Sequence, residues 1–338
     1  MAPRTVARAF DEFDENLNLD PQERRKAQTR HQEITDCLTD AGIAASTFLQ
    51  GSFARKTMRK PLKDVDMVIL LAEVHRPAWG GDGVGGPAAA MSAIQIAVTA
   101  RFPGARFDGE DTPAHALQVS FPDCTFTFDL VPAFADPDGG EDIFIADREQ
   151  DQWEWSNTRT LNRVISQRNQ ATLGVFVHQV RMGKEYKANE PLLDELCGLA
   201  VESLTYAVIF KKMPHDRALL ALFAHAATAV LGKVLDPTGV DDLAAEWTPA
   251  QRATYSQAFN RAAARAREAV ALAADGEHAA AIDIWHSLLG ESFPEPAAQT
   301  SSQALAGLVG GSITSTGRAV TSQRAAQPNR PGRSWGSR

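Results

Sequence analysis

Residues 63–71 read Lys63-Asp64-Val65-Asp66-Met67-Val68-Ile69-Leu70-Leu71, and this stretch decides the fold. A short apolar run entered through two carboxylates reads as a buried strand, Asp64 to Leu71. Side chains alternate across a strand, so Asp64 and Asp66 leave the same face. A second strand, Thr125-Phe126-Thr127-Phe128-Asp129-Leu130-Val131, turns Phe126 and Phe128 one way and Thr125, Thr127 and Asp129 the other. If the two strands pair, three carboxylates converge on one patch. Left alone they repel one another and lose hydration. A hard divalent cation removes both costs, and Mg²⁺ favours carboxylates together with substrate phosphates. Two such ions make a site for in-line phosphoryl transfer.

Upstream of the Asp pair lies Gly51-Ser52. Gly51 lets the backbone approach a phosphate closely, and Ser52 offers a hydroxyl and an N–H. Each part is weak evidence alone. A Gly-Ser pair is usually a turn, and a lone Asp at a strand end is usually a cap or a surface residue. In this order and strand context the combination is far more specific, and it describes a nucleoside triphosphate beside a metal cluster.

Working outward, Asp20-Pro21-Gln22-Glu23 opens a helix with an Asp cap and Pro at the first position, and the helix ends at Gly42. A short strand is expected near Thr47 to Gln50, a helix from Ala88 to Arg101, and a hairpin joining Ala116–Phe121 to Thr125–Val131 through Pro122-Asp123. After about residue 150 the pattern turns helical: 157–173, 192–211, 216–231, 249–275 and 279–289. The expected fold class is α+β: a mixed-sheet lobe with an N-terminal helix over 1–150, a helical lobe over 151–296, and a cleft between them. Residues 297–338 are rich in Ser, Gly, Thr, Ala and Gln, carry no acid, and read as a disordered basic tail.

Composition excludes several classes. The 338 residues are 44% hydrophobic and 22% charged, ordinary globular usage. The longest apolar stretch, Ala218 to Leu231, is interrupted by His225 and Thr228 and is too short to span a bilayer. Cys37, Cys124 and Cys197 are far apart and offer no disulfide framework or zinc knuckle, which fits a reducing cytoplasm. Net charge is −8, and five arginines follow the last acid, Glu295. The body is therefore acidic, which argues against a dedicated binder of duplex nucleic acid.

GSFARKT, KDVDMVILL and TFDLVPAF together resemble the nucleotidyltransferase signature of the DNA polymerase β superfamily. More narrowly they resemble the bacterial cGAS/DncV-like nucleotidyltransferases, over roughly residues 20 to 290. The resemblance implies a polymerase-β-like lobe packed on a helical lobe, and synthesis of a cyclic oligonucleotide second messenger in anti-phage signalling. It implies ATP as substrate, with GTP or other NTPs beside it, and two Mg²⁺ ions, with Mn²⁺ as a substitute. Asp64, Asp66 and Asp129 become the catalytic and metal residues, and Gly51 and Ser52 bind nucleotide. Val180-Arg181-Met182-Gly183-Lys184-Glu185-Tyr186 is similar to the family's helix whose Lys contacts the triphosphate, which makes Lys184 the candidate and Arg181 the reserve. Cys197 to Glu202 resembles a helix bearing a Glu on its inner face. A regulatory protein partner is expected, and no membrane.

Two other readings compete: a nucleotidyltransferase acting on a protein, an antibiotic or an RNA end, and a nucleotide-binding protein that has lost catalysis. Other signals carry less. Gly81-x-Gly83-x-x-Gly86 does not directly follow a strand and reads as a loop. Arg55, Lys56, Arg59, Lys60 and Lys63 read as a solvated basic run, one or two of which screen phosphates. Trp153, Trp155 and Asn157 read as packing at the lobe junction rather than as a base-stacking platform.

Overall fold

The computed structural model describes residues 4–80, 84–107 and 114–296. The expected tail, 297–338, and Gly81 and Gly83 of the glycine pattern lie outside the described residues.

The sheet is built around the two carboxylate strands. Strand β1 (Ala44–Leu49) pairs antiparallel with β2 (Asp64–Leu71). β3 (Arg106–Phe107) pairs antiparallel with β4 (Leu117–Ser120), and β4 with β5 (Thr127–Ala135). β2 and β5 pair in parallel at the centre, which makes the sheet mixed. Beyond the end of β4, β5 pairs with β6 (Ile143–Asp147), and β6 with β7 (Gln152–Ser156).

Helices α1 (Val6–Leu17), α2 (Pro21–Asp40), α3 (Gly51–Arg55), α4 (Arg76–Trp79) and α5 (Gly86–Arg101) accompany the sheet in sequence. The Asp20 carboxylate caps α2 by accepting from the Gln22 N–H at 2.6 Å. Alternation along β2 divides the core. Val65, Met67, Ile69 and Leu71 pack with Ile34 and Leu38 of α2 and Ile94 of α5. Val68 and Leu70 pack with Val131 and Ala133 on the opposite face, which Asp66 shares by its spacing. A strand entered by carboxylates and continued by apolar residues is thus open at one end and buried along the rest.

The second core is helical: α6 (Thr158–Ala171), α7 (Phe176–Asn189), α8 (Gly198–Tyr206), α9 (His215–Ala229), α10 (Pro249–Ala274) and α11 (His278–Leu289). Two segments depart from the expected division. The sheet continues past residue 150, because β7 completes a hairpin with β6. And α1 does not pack on the sheet: its stripe of Val6, Ala9, Phe10, Phe13 and Leu17 is buried in the helical core beside Trp285 and Phe293. Five apolar side chains on one helical face need an apolar partner, and the helical bundle supplies it.

Candidate active site

In the β2–β5 register Asp66 lies directly opposite Asp129, and Asp64 opposite Thr127. Asp64 is exposed, while Asp66 and Asp129 are half-buried. Gln118, opposite Asp129 on β4, donates its side-chain N–H to Asp129 Oδ1 at 3.0 Å. Burial, then the charges of Asp64 and Asp129, push the Asp66 carboxyl up to about 6, with Arg55 opposing. A carboxylate that resists ionisation because it is buried and faces two others fits a divalent cation, which offsets both.

The backbone then brings Gly51 against Asp66. The Gln50 N–H donates to the Asp66 carbonyl at 2.9 Å, tying the end of β1 to the carboxylate strand. Gly51 has φ +67°, and a Cβ on it would come within 1.7 Å of Asp66 Oδ2. Glycine is therefore needed here both for its conformation and for the space it leaves. Ser52 follows in α3 and lines a cavity with Arg59, Lys60, Lys63, Asp64 and Lys184. The cavity sets one of the three carboxylates, Asp64, beside a cluster of cations.

The basic run is only partly solvated. Arg55 is mostly buried, and its Nε donates to Glu202 Oε2 at 2.9 Å. Arg59 pairs with Glu185 at 2.8 Å. For Arg55 the reason is Glu202, a fully buried carboxylate on α8 that requires counter-charge. Thr57 Oγ1 donates to Glu202 Oε1 at 2.6 Å, and Lys184 Nζ donates to the same oxygen at 2.6 Å. Burial alone would raise the Glu202 pKa, but the charges of Lys184 and Arg55 outweigh it and hold it at about 2.

Gly51, Ser52, Asp64, Asp66, Asp129 and Lys184 are thus brought to one region, by register or along one cavity wall. Arg181 is not. It is 4% exposed, donates to Asn18 Oδ1 at 2.6 Å and Asp14 Oδ1 at 3.3 Å, and contacts His178 at the α1–α7 contact. It does not line the cavity that holds Lys184.

Trp153 packs on Phe134 and donates to the Trp79 carbonyl at 2.7 Å, and the Trp155 indole N–H is held by Asp142 at 2.9 Å. Asn157 donates to Thr238 at 2.8 Å, joining the sheet's end to the helical region. Sequence reading missed Gln118, for which only its place opposite Asp129 speaks, and two partners of Glu202, Arg55 and Thr57, which lie more than a hundred residues away. His115, Asp147 and Glu154 also bring ligand-type atoms within 4.8 Å of one another. There the His115 ring bonds the Ala146 carbonyl, and the Asp147 carboxylate accepts two N–H groups of its own turn, so local structure accounts for both.

Residues 4–169 match the family model of the Second Messenger Oligonucleotide or Dinucleotide Synthetase domain. Among curated proteins no sequence matches. Among solved structures, CdnC of E. coli MS115-1 with ATP is 19% identical, with a TM-score of 0.64 over 85% of this chain and 98% of that one. The complex of the same CdnC with HORMA-deltaN gives 16% identity and a TM-score of 0.65, over 85% and 97%. The Vibrio cholerae DncV cyclic AMP-GMP synthase with the linear intermediate pppA(3′,5′)pG gives 14% and 0.58, over 73% and 69%.

Proposed function

We propose that this chain, which belongs to the bacterial cGAS/DncV-like nucleotidyltransferases, joins ATP with itself or with GTP or another NTP into a cyclic di- or trinucleotide and releases pyrophosphate. The observation that supports this most is the Asp66–Asp129 pair, with Asp66 seated on Gly51. Divalent ions of the Mg²⁺ type, or Mn²⁺ in their place, held by Asp64, Asp66 and Asp129, would neutralise triphosphate charge and acidify the acceptor hydroxyl.

The chain's own residues do the rest. Ser52 offers its hydroxyl and N–H to a phosphate at the cavity wall. Lys184, Lys60 and Lys63 place positive charge along the same wall. Arg59 and Lys184 are each anchored by a glutamate of the helical lobe, so part of the positive wall is pre-set. Asp66, Asp64 and Asp129 align the acceptor hydroxyl with the α-phosphorus, and pyrophosphate leaves on the opposite side. A second transfer on the linear product closes the ring.

A cytoplasmic role in anti-phage signalling and control by a protein partner extend this reading. CdnC has been solved with a HORMA protein, which supports a regulatory partner here. No helix among the described residues is long and apolar enough to cross a membrane. The test is incubation with each NTP and with all four, read by pyrophosphate release and mass spectrometry. A small phosphatase-resistant product is expected. Label carried into protein, antibiotic or RNA would assign a different acceptor, and no metal-dependent pyrophosphate would leave only nucleotide binding.

A further inference from the structure

Glu202 holds an ionised carboxylate with no solvent exposure, a state sustained only by charge pairing and full hydrogen bonding. Its partners come from two parts of the chain. Arg55, on the same short helix as Gly51 and Ser52, donates Nε at 2.9 Å and Nη2 at 3.4 Å. Thr57 donates its hydroxyl at 2.6 Å, and Lys184 donates its ammonium at 2.6 Å. Of these four residues only Lys184 also lines the cavity with Ser52 and Asp64. Gly183 makes the approach possible, since a Cβ there would meet Leu222 at 2.8 Å and Val201 of α8 at 3.1 Å.

We infer that Glu202 is a positioning residue for nucleotide transfer, seating the Lys184 ammonium at the cavity wall in readiness for a triphosphate. The inference rests on the function proposed above and assigns it one more residue. A lysine side chain loses rotamer freedom when it grips a ligand, and holding it in place beforehand removes much of that loss. Arg55 and Thr57 make the hold reversible. They keep Glu202 neutralised and hydrogen-bonded when Lys184 turns towards a phosphate, so the lysine is shared rather than locked. Glu202 therefore acts through Lys184 and does not touch the nucleotide.

A double-mutant cycle tests this in the full-length chain. Wild type, Lys184→Ala, Glu202→Gln and the double variant are compared in kcat/KM for pyrophosphate release and in Kd for a non-hydrolysable ATP analogue with Mg²⁺. Each single change is expected to cost at least about tenfold, and the double variant to stay within about threefold of Lys184→Ala alone. Glu202→Asp, which keeps the charge on a shorter stem, is expected to fall between wild type and Glu202→Gln. Losses that multiply in the double variant, or a Glu202→Gln protein with wild-type kcat/KM and Kd, would overturn the inference. If Glu202→Gln melts below the assay temperature, the cycle is run with Glu202→Asp, and the same two outcomes decide. A wild-type protein that binds the analogue but releases no pyrophosphate from any NTP would refute the proposed function, while the Kd cycle would still judge Glu202.

Discussion

Asp66→Asn should make the metal-free protein more stable while abolishing nucleotidyl transfer. The Asp66 carboxyl rises from 3.8 to about 6 on folding, driven by burial and by Asp64 and Asp129. The folded state therefore holds a proton that the unfolded state has lost, and stability falls as pH climbs through the window from 3.8 to about 6. Above that window the penalty is constant at about 3 kcal/mol, from ~1.4 kcal/mol per pKa unit. Asn keeps the shape and removes the charge. For a chain of this size the gain corresponds to roughly 3–5 °C in melting temperature. The assay is thermal melting of both proteins in EDTA at pH 8 and at pH 4.5. The variant should melt higher at pH 8, and the gap should shrink to about a third at pH 4.5, where folded Asp66 is mostly protonated. Saturating Mg²⁺ should stabilise wild type more than the variant, by about 2.7 kcal/mol at a hundred times Kd, which nearly closes the gap. A variant that melts below wild type at pH 8 in EDTA, or a gap of equal size at both pH values, would refute the carboxylate-repulsion account.

Gly51→Ala should lower kcat at least ~100-fold, because the added methyl must displace the Asp66 carboxylate that it would otherwise meet at 1.7 Å; turnover near wild type would show that the two residues need not touch. Arg181→Ala should lower stability by about 1–3 kcal/mol, since it strips a buried partner from Asp14 and Asn18. Its KM for NTP should stay unchanged, and a raised KM at full thermal stability would bring Arg181 back to the nucleotide. Gln118→Ala should reduce kcat about three- to tenfold with KM held, as Asp129 loses a donor that orients it; steady-state kinetics at saturating metal decides this.

What the sequence made legible was whatever depends on neighbours along the chain. Strand β2 falls where the reading put it, Asp64 to Leu71, because carboxylates followed by an unbroken apolar run suit only a strand open at one end and buried at the other. Alternation put Asp64 and Asp66 on one face and allowed Asp129 to join them if the two strands paired, and the register makes Asp66 and Asp129 direct neighbours. The β6–β7 hairpin was lost because its short strands border a loop rich in Asp, Gly and Pro that dominates the local signal. Helix α1 had a readable stripe, but the stripe does not say which of two cores it joins.

The basic run shows the deeper limit. Five cations between Gly51-Ser52 and the Asp pair read as a solvated face, because only chain neighbours were in view. In the fold Arg55 meets a carboxylate 147 positions away, and Lys184 meets the same carboxylate from another helix. A buried Glu fixes the charge it must be given, but not which residues will give it. That choice is made when α3 docks against α7 and α8, whose own close packing Gly183 permits. The three carboxylates are set by strand geometry and can be read locally. The cations that complement them are set by how the helical core docks, and at that level the same arginine changes from a solvated charge into the partner that lets Glu202 lend Lys184 to the substrate.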